Sequence, residues 1–312
     1  MDGPNIAREP TVAETPGAMR TQGWADYALI DSGRGRKLER YGRFTVIRPE
    51  PQCMWAPTLP TEVWDKADAV FDPTDEEDAG RWKFRGAAVE SWPLAWGEVK
   101  FHGRFTAFRH LAFFPEQAAN WTWLDAAVRG AAQGVEPPRV LNLFGYTGVA
   151  SLVMAAAGAA VTHVDASKKA VGWARENAAL SGLADRPIRW ITEDARKYVQ
   201  REVRRGSKYQ GIILDPPKYG RGPDGEVWRL FENLPELAGQ CAELLAENAA
   251  FLVLNAYAER ISGAALSGLL AEKLEGRGGR IEWGELTLVQ EGGKRQVGMS
   301  FYARWSQDGR AA

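Results

Sequence analysis

The sequence predicts an α/β protein: a Rossmann-like, doubly wound parallel sheet closed by a C-terminal antiparallel hairpin, preceded by a small β-rich domain. Three observations carry this. From Pro115 onward, helix-spaced and strand-like runs alternate with short connections, the pattern of a parallel sheet with crossover helices. The last two apolar runs, Leu286–Val289 and Met299–Ala303, flank Gly292-Gly293 with no helix between them, which reads as a hairpin. Before residue 107 the apolar residues follow a period of two and are broken by turns.

In chain order, residues 1–24 read as a loose polar tail, 25–106 as the β-rich domain and 107–312 as the sheet domain. In the β-rich part, Tyr27–Ile30, Phe44–Arg48 and Val99–Phe105 alternate as half-buried strands do, and Pro49 stops the second. The acidic stretch Asp72–Gly80 reads as an exposed loop, and Trp55, Trp64, Trp92 and Trp96 as core. A helix is expected over Glu116–Arg129, with Trp121, Leu124 and Val128 on one side, and Pro137-Pro138 closes the linker to strand Val140–Phe144. Then follow helix Val149–Ala157, strand Ala160–Val164, helix Lys168–Ser181 and strand Ile188–Ile191. Helix Arg196–Arg205, strand Gly211–Leu214, helix Leu230–Ala246 and strand Ala250–Asn255 complete the alternation.

Composition excludes several classes. With 45% hydrophobic residues the chain can bury a full core, and it contains no apolar run long enough to span a membrane. Cys53 and Cys241 stand far apart, so neither a disulfide framework nor a zinc site is expected, and a cytoplasmic location is the default. His102, His110 and His163 are scattered, and no metal site is expected. The net charge of −1 means that any nucleic-acid contact must come from a local basic patch.

Open α/β sheets bind ligands beyond the carboxyl ends of their strands. The turn Asn142-Leu-Phe144-Gly145-Tyr146-Thr147-Gly148 follows a strand and opens a helix, and its glycines let backbone pass close to a ligand. The helix start offers unpaired N–H groups that suit the carboxylate of a methionine moiety, whereas the G-x-G-x-x-G expected for a pyrophosphate is absent. Asp165, with Ala166 and Ser167 behind it, ends the next strand, where an acid can accept two ribose hydroxyls. Asp194 and Ala195 end the third, where a carboxylate can accept from an adenine amine. The cofactor so described is S-adenosyl-L-methionine. The competing expectation is that Asp165 and Asp194 merely cap the helices that follow them.

The strand Gly211–Leu214 runs into Asp215-Pro216-Pro217-Lys218-Tyr219. Two prolines hold Asp215 and the Pro216 carbonyl in set directions, where they can orient an amine towards a methyl donor; Asp215 also borders the cofactor. Tyr219 can stack on a flat substrate, although amine methyltransferases usually place the aromatic where Lys218 stands. Gly220–Gly225 reads as a flexible loop able to close over substrate, or as a plain surface loop.

With these residues the chain resembles the class I S-adenosylmethionine-dependent methyltransferases. Within them it is similar to the large-subunit ribosomal RNA (23S) methyltransferases with an Asn-Leu-Phe-x-Tyr-Thr-Gly loop and an Asp-Pro-Pro-Lys-Phe/Tyr motif, here Asn142–Gly148 and Asp215–Tyr219. The likeness covers about Ala107–Ala303 and extends more weakly to Asp31-Ser-Gly through Arg40 and to Arg48-Pro49-Glu50-Pro51. It implies the terminal hairpin, and that Phe114 and Gln117, in Phe113-Phe114-Pro115-Glu116-Gln117-Ala118, line the cofactor pocket; the family's arginine is Ala118 here. Some relatives begin with a separate RNA-binding module, for which this chain is expected to have no room. Relatives that methylate cytosine carbon 5 carry a cysteine after the fifth strand, where this chain has Leu254-Asn255-Ala256-Tyr257. Transfer to a ring nitrogen, exocyclic amine or other heteroatom therefore fits better than covalent C5 chemistry, which needs a thiolate. Cys241 is expected to pack inside its helix.

Two runs are candidate RNA contacts: Arg34, Arg36, Lys37, Arg40 and Arg43, interleaved with Tyr41 and Phe44, and the run Arg196–Lys208, which has the spacing of a solvated helix face. Ribosomal RNA is the expected substrate, a protein or small molecule the alternative, and a fold-keeping non-enzyme the third reading. A homodimer is left open.

Overall fold

The computed structural model describes residues 9–74, 79–132, 134, 136–257, 260–293 and 295–307. Asp75, Glu76, Glu77 and Asp78 of the acidic stretch, and residues 1–8 of the N-terminal segment, lie outside the described residues. The chain forms two compact units, one of residues 1–19, 120–286 and 300–312, the other of residues 20–119 and 287–299.

The first unit holds a mixed sheet of nine strands among the described residues. Its parallel part runs Phe251–Ala256, Gly211–Leu214, Arg139–Leu143, Ala160–Asp165, Ile188–Thr192 in spatial order. The first of these strands in sequence thus lies between the second and the fourth, and such a reversal of order is where open α/β sheets bind ligands. Along Val140–Leu143 the side chains alternate. Leu141 and Leu143 pack with Ile212, Leu252 and helices Ala195–Arg204, Leu230–Leu244 and Gly263–Lys273, while Val140 packs with Ile213, Val253 and helices Ala118–Ala131 and Val149–Ala156. Burial on both faces explains why these strands read as continuous apolar runs. Antiparallel to Phe251–Ala256 lies Gln296–Ser306, next to Arg280–Val289. The expected fold class is the one observed.

Three features depart from expectation. Residues 1–24 are not simply a tail: Thr11–Val12 and Gly17–Thr21 pair with Arg280–Val289. The division of the chain also differs from a cut near residue 106, because the hairpin tip, residues 287–299, groups with the β-rich unit. Pairing between residues far apart in sequence leaves no local signature. Finally, Gly80, expected in the acidic loop, begins strand Gly80–Phe84.

The second unit contains a five-stranded sheet ordered Tyr27–Gly33, Arg36–Tyr41, Phe44–Pro49, Ala69–Pro73, Gly80–Phe84, and a hairpin Ser91–Trp96/Val99–Arg104. Trp64 and Trp92 are buried, whereas Trp55 and Trp96 are only partly so. A charged cluster is buried here. Glu39 takes Arg48 Nε at 2.7 Å and Arg48 Nη2 at 2.8 Å, with Lys37 Nζ at 3.8 Å, and Lys37 lies 3.4 Å from Glu50. Burial raises the Glu39 pKa, but Arg48 and Lys37 outweigh it and the carboxyl falls to about 2. Asp31 accepts the Thr58 hydroxyl at 2.6 Å, the Leu59 N–H at 2.8 Å and the Trp64 indole N–H at 3.1 Å. The segments around Asp31 and Arg48–Pro51 therefore hold this unit together.

Candidate active site

The sheet register brings the strand ends into one line. Leu143 is opposite both Val164 and Leu214, so Phe144, Asp165 and Asp215 leave adjacent strands at the same level. Asp165 is opposite Thr192, which puts Asp194 two residues further out.

The turn after Arg139–Leu143 is built on unusual backbone. Phe144 and Tyr146 have φ of 58° and 47°, the left-handed region that costs non-glycine residues energy. Gly148, at φ 83°, caps helix Val149–Ala156. Packing within the protein by itself requires glycine at both positions. A Cβ at Gly145 would lie 2.5 Å from the His163 ring, and one at Gly148 would lie 2.8 Å from the Ala174 Cβ. Beneath the turn, Asn142 Nδ2 donates to Ser151 Oγ at 2.8 Å, and Ser151 Oγ lies 3.0 Å from His163 Nδ1. Burial holds the His163 pKa down at about 3, so the ring is neutral. Asn142 is thus a buried support of the turn, and so is Thr147, whose carbonyl takes Asn177 Nδ2 at 2.9 Å.

Asp165 Oδ2 accepts the Tyr146 N–H at 2.8 Å and Oδ1 accepts the Ser167 N–H at 2.8 Å. The helix Lys168–Leu180 is capped by the Ser167 hydroxyl, which accepts from Ala170 N–H at 3.2 Å. The capping expectation thus falls on Ser167, an exposed residue, and not on Asp165. Burial pushes the Asp165 pKa up, against the two N–H bonds. Each oxygen accepts two hydrogen bonds when fully used, so a second lone pair per oxygen suits a ribose diol. Asp194 does cap its helix: Oδ1 accepts from Arg196 N–H at 2.9 Å and Lys197 N–H at 3.1 Å. Both bonds fall on Oδ1, so the cap is compatible with an adenine contact through Oδ2. These donor and acceptor sets fit an adenosine cofactor. Ala166 and Ala195 lie beside these acids as small residues. Phe114 and Gln117 belong to the other unit, at the short helix Pro115–Gln117.

Asp215 is half-buried, and its N–H points to the Leu143 carbonyl at 3.4 Å. Pro216 is buried, whereas Pro217, Lys218 and Tyr219 are exposed. The carbonyls after Pro216 are taken: that of Pro217 accepts Trp228 Nε1–H at 2.7 Å, and that of Lys218 accepts the Leu230 N–H at 3.0 Å. Trp228, missed in the sequence reading, also packs its ring 4.9 Å from Phe144. It braces the turn at Phe144 against the Asp-Pro-Pro segment. The only hint in the sequence was a tryptophan flanked by valine and arginine, Val227-Trp228-Arg229. Of Gly220–Gly225, Gly220 and Arg221 belong to a ribbon in which Tyr219–Arg221 pairs with Val227–Arg229, and the rest form its connecting turn. At the fifth strand end, buried Asn255 accepts Asn120 Nδ2 at 3.0 Å. Cys241 is buried in its helix, and burial pushes its thiol pKa far up.

The basic run of the β-rich unit does not form one patch. Lys37 is 2% exposed and ion-paired inside, which removes it as an RNA contact. Arg40 Nη1 bonds the Ala25 carbonyl at 2.5 Å, and Arg40 Nη2 lies 3.6 Å from Glu291. Arg34 and Arg36 flank the turn at one end of strand Arg36–Tyr41, and Arg43 the turn at the other end. A strand advances about 3.3 Å per residue, so these ends stand roughly 20 Å apart.

A doubly wound sheet with acids on consecutive strand ends and an antiparallel closing strand defines a class I methyltransferase architecture. The chain belongs to the S-adenosylmethionine-dependent methyltransferases. It is 50% identical to the S-adenosylmethionine-dependent methyltransferase of Agrobacterium tumefaciens, covering 97% of both chains with a TM-score of 0.91. A second solved structure, a putative methyltransferase from Streptococcus mutans, shares the fold at 15% identity and a TM-score of 0.67, over 91% of this chain and 76% of that one. Residues 117–251 match the family described as Conserved hypothetical protein 95. The ribosomal RNA large subunit methyltransferase K/L of Shewanella frigidimarina is 35% identical over 118 residues, 37% of this chain and 16% of that protein. The ribosomal RNA large subunit methyltransferase I of Shewanella denitrificans is 36% identical over 112 residues, 36% of this chain and 25% of that protein. The matched part thus spans a quarter or less of those curated relatives.

Proposed function

We propose that this protein methylates a base of ribosomal RNA at a nitrogen or other heteroatom, without a cysteine nucleophile, in the cytoplasm. The alignment of Phe144, Asp165 and Asp215 on neighbouring strand ends carries the methyl-transfer reading. The rRNA methyltransferases that match over 37% and 36% of the chain support RNA as substrate. Bound S-adenosyl-L-methionine supplies an electrophilic methyl group. Asp165 accepts the ribose hydroxyls, Asp194 Oδ2 the adenine amine, and the turn Phe144–Gly148 the methionine end. Asp215, with the Pro216 carbonyl, orients the target atom by accepting its N–H groups, so that positioning lowers the barrier. Buried Asn255 at the fifth strand end and inert Cys241 disfavour covalent C5 chemistry.

The test is tritiated methyl transfer into an extract of cells lacking the gene, divided between nuclease and protease digestion. Label released by nuclease supports the reading, and nucleoside analysis names the atom. Label released only by protease replaces RNA with a protein substrate.

A further inference from the structure

The ribbon after the reaction-site prolines has two unlike faces. Tyr219 is opposite Arg229, and Arg221 is opposite Val227. Opposed residues share a face, and these four make the outer one: Tyr219 is 51% exposed, and Arg221, Val227 and Arg229 are exposed as well. The inner face presents Gly220 and buried Trp228. The ribbon is held in place from that side. Trp228 bonds Pro217, Arg196 Nη2 donates to the Val227 carbonyl at 3.0 Å, and Lys197 pairs with Glu226 and, at 3.4 Å, with Asp224.

The charge balance of the outer face follows from this. The acids at the tip are engaged by Lys197, and Arg221 and Arg229 share the face of Tyr219. Glu232 pairs with Arg229 at 3.2 Å, but both partners are more than half exposed. Such a pair is weak and readily exchanged for a phosphate. Arg221 and Arg229 are diagonal neighbours, about 7–8 Å apart at the backbone. An exposed ring with two arginines on the same face is an arrangement that takes an unstacked base and its flanking phosphates.

We propose that the outer face of this ribbon is a preformed platform for a single-stranded RNA segment beside the target nucleotide. Tyr219 stacks on a base, and Arg221 and Arg229 hold neighbouring phosphates. The platform rests on the RNA reading above and gives it a location.

The experiment uses the full chain and total RNA from cells lacking the gene. It measures KM for RNA, its salt dependence, and cofactor affinity. R221Q/R229Q is expected to raise KM several-fold and to reduce the log–log salt slope by about 1.4, at roughly 0.7 per phosphate on a single strand. Y219A is expected to raise KM about tenfold through loss of one stacked base, and Y219F to restore it. Cofactor affinity, unchanged in R221Q/R229Q, reports an intact fold. If wild type labels RNA while KM and salt slope are unmoved in both R221Q/R229Q and Y219A, the platform is wrong and the RNA reading stands. If wild type labels only protein, both are overturned.

Discussion

Asp165 accepts the Tyr146 backbone N–H at 2.8 Å, so the acid that ends one strand ties down the turn that ends its neighbour. That bond holds Tyr146 in its left-handed conformation, φ 47°, and leaves a lone pair on the same oxygen for the proposed ribose contact.

Asp165→Ala is expected to weaken S-adenosylmethionine binding by about 1.5–3 kcal/mol, the range for hydrogen bonds to a charged group. Calorimetry checks this, and unchanged affinity would remove Asp165 from the site. The pH dependence follows from the raised pKa of its carboxyl. Protonation begins at a higher pH than for a free aspartate, so affinity should decline on acidification before an exposed aspartate titrates.

The cap at Asp194 uses Oδ1, and the proposed adenine contact uses Oδ2. Asp194→Ala should cost about 1 kcal/mol of stability through the lost cap and should also lower cofactor affinity. Asp194→Ser keeps a capping oxygen, so it should restore the thermal midpoint but not the affinity. Recovery of both by serine would make Asp194 a cap alone.

Asp215→Ala should leave cofactor binding nearly intact and abolish turnover. Full activity in a labelled-methyl assay refutes its role. Trp228→Phe is a milder probe, because it keeps the ring packed on Phe144 and removes the bond to the Pro217 carbonyl. The loss should be about 1 kcal/mol, and it should appear in kcat more than in cofactor affinity.

Glu39 governs the acid stability of the β-rich unit. Its folded pKa, about 2, lies below the 4.5 of a free glutamate. The stability it contributes is therefore present above about pH 4.5 and is lost as the pH falls towards 2. Glu39→Gln leaves Arg48 buried without its counter-charge, while Lys37 keeps Glu50, and should cost about 3–5 kcal/mol. Urea unfolding at neutral and acid pH, compared with wild type, should show a lower midpoint and a smaller acid-induced loss. An unchanged midpoint would contradict the buried ion cluster.

The sequence by itself determined the alternation of the sheet domain, because buried parallel strands are short apolar runs and their crossover helices carry a 3.6-residue period. Strand Gly211–Leu214 was legible to the residue, and its neighbours to within one or two. Asp165, Asp194 and Asp215 could be placed because a strand end is a local event. The tertiary structure alone decided what these residues touch. It made Asn142 and Thr147 supports of the turn, moved the helix cap from Asp165 to Ser167, and buried Lys37 within a run that reads as surface. It also set Trp228 against both Phe144 and Pro217, and bound residues 11–21 to a strand some 270 positions away, as with Thr11 opposite Arg280. Such partners meet only through sheet register and long-range packing. No window of neighbouring residues encodes those contacts, so they become visible only once the chain is folded.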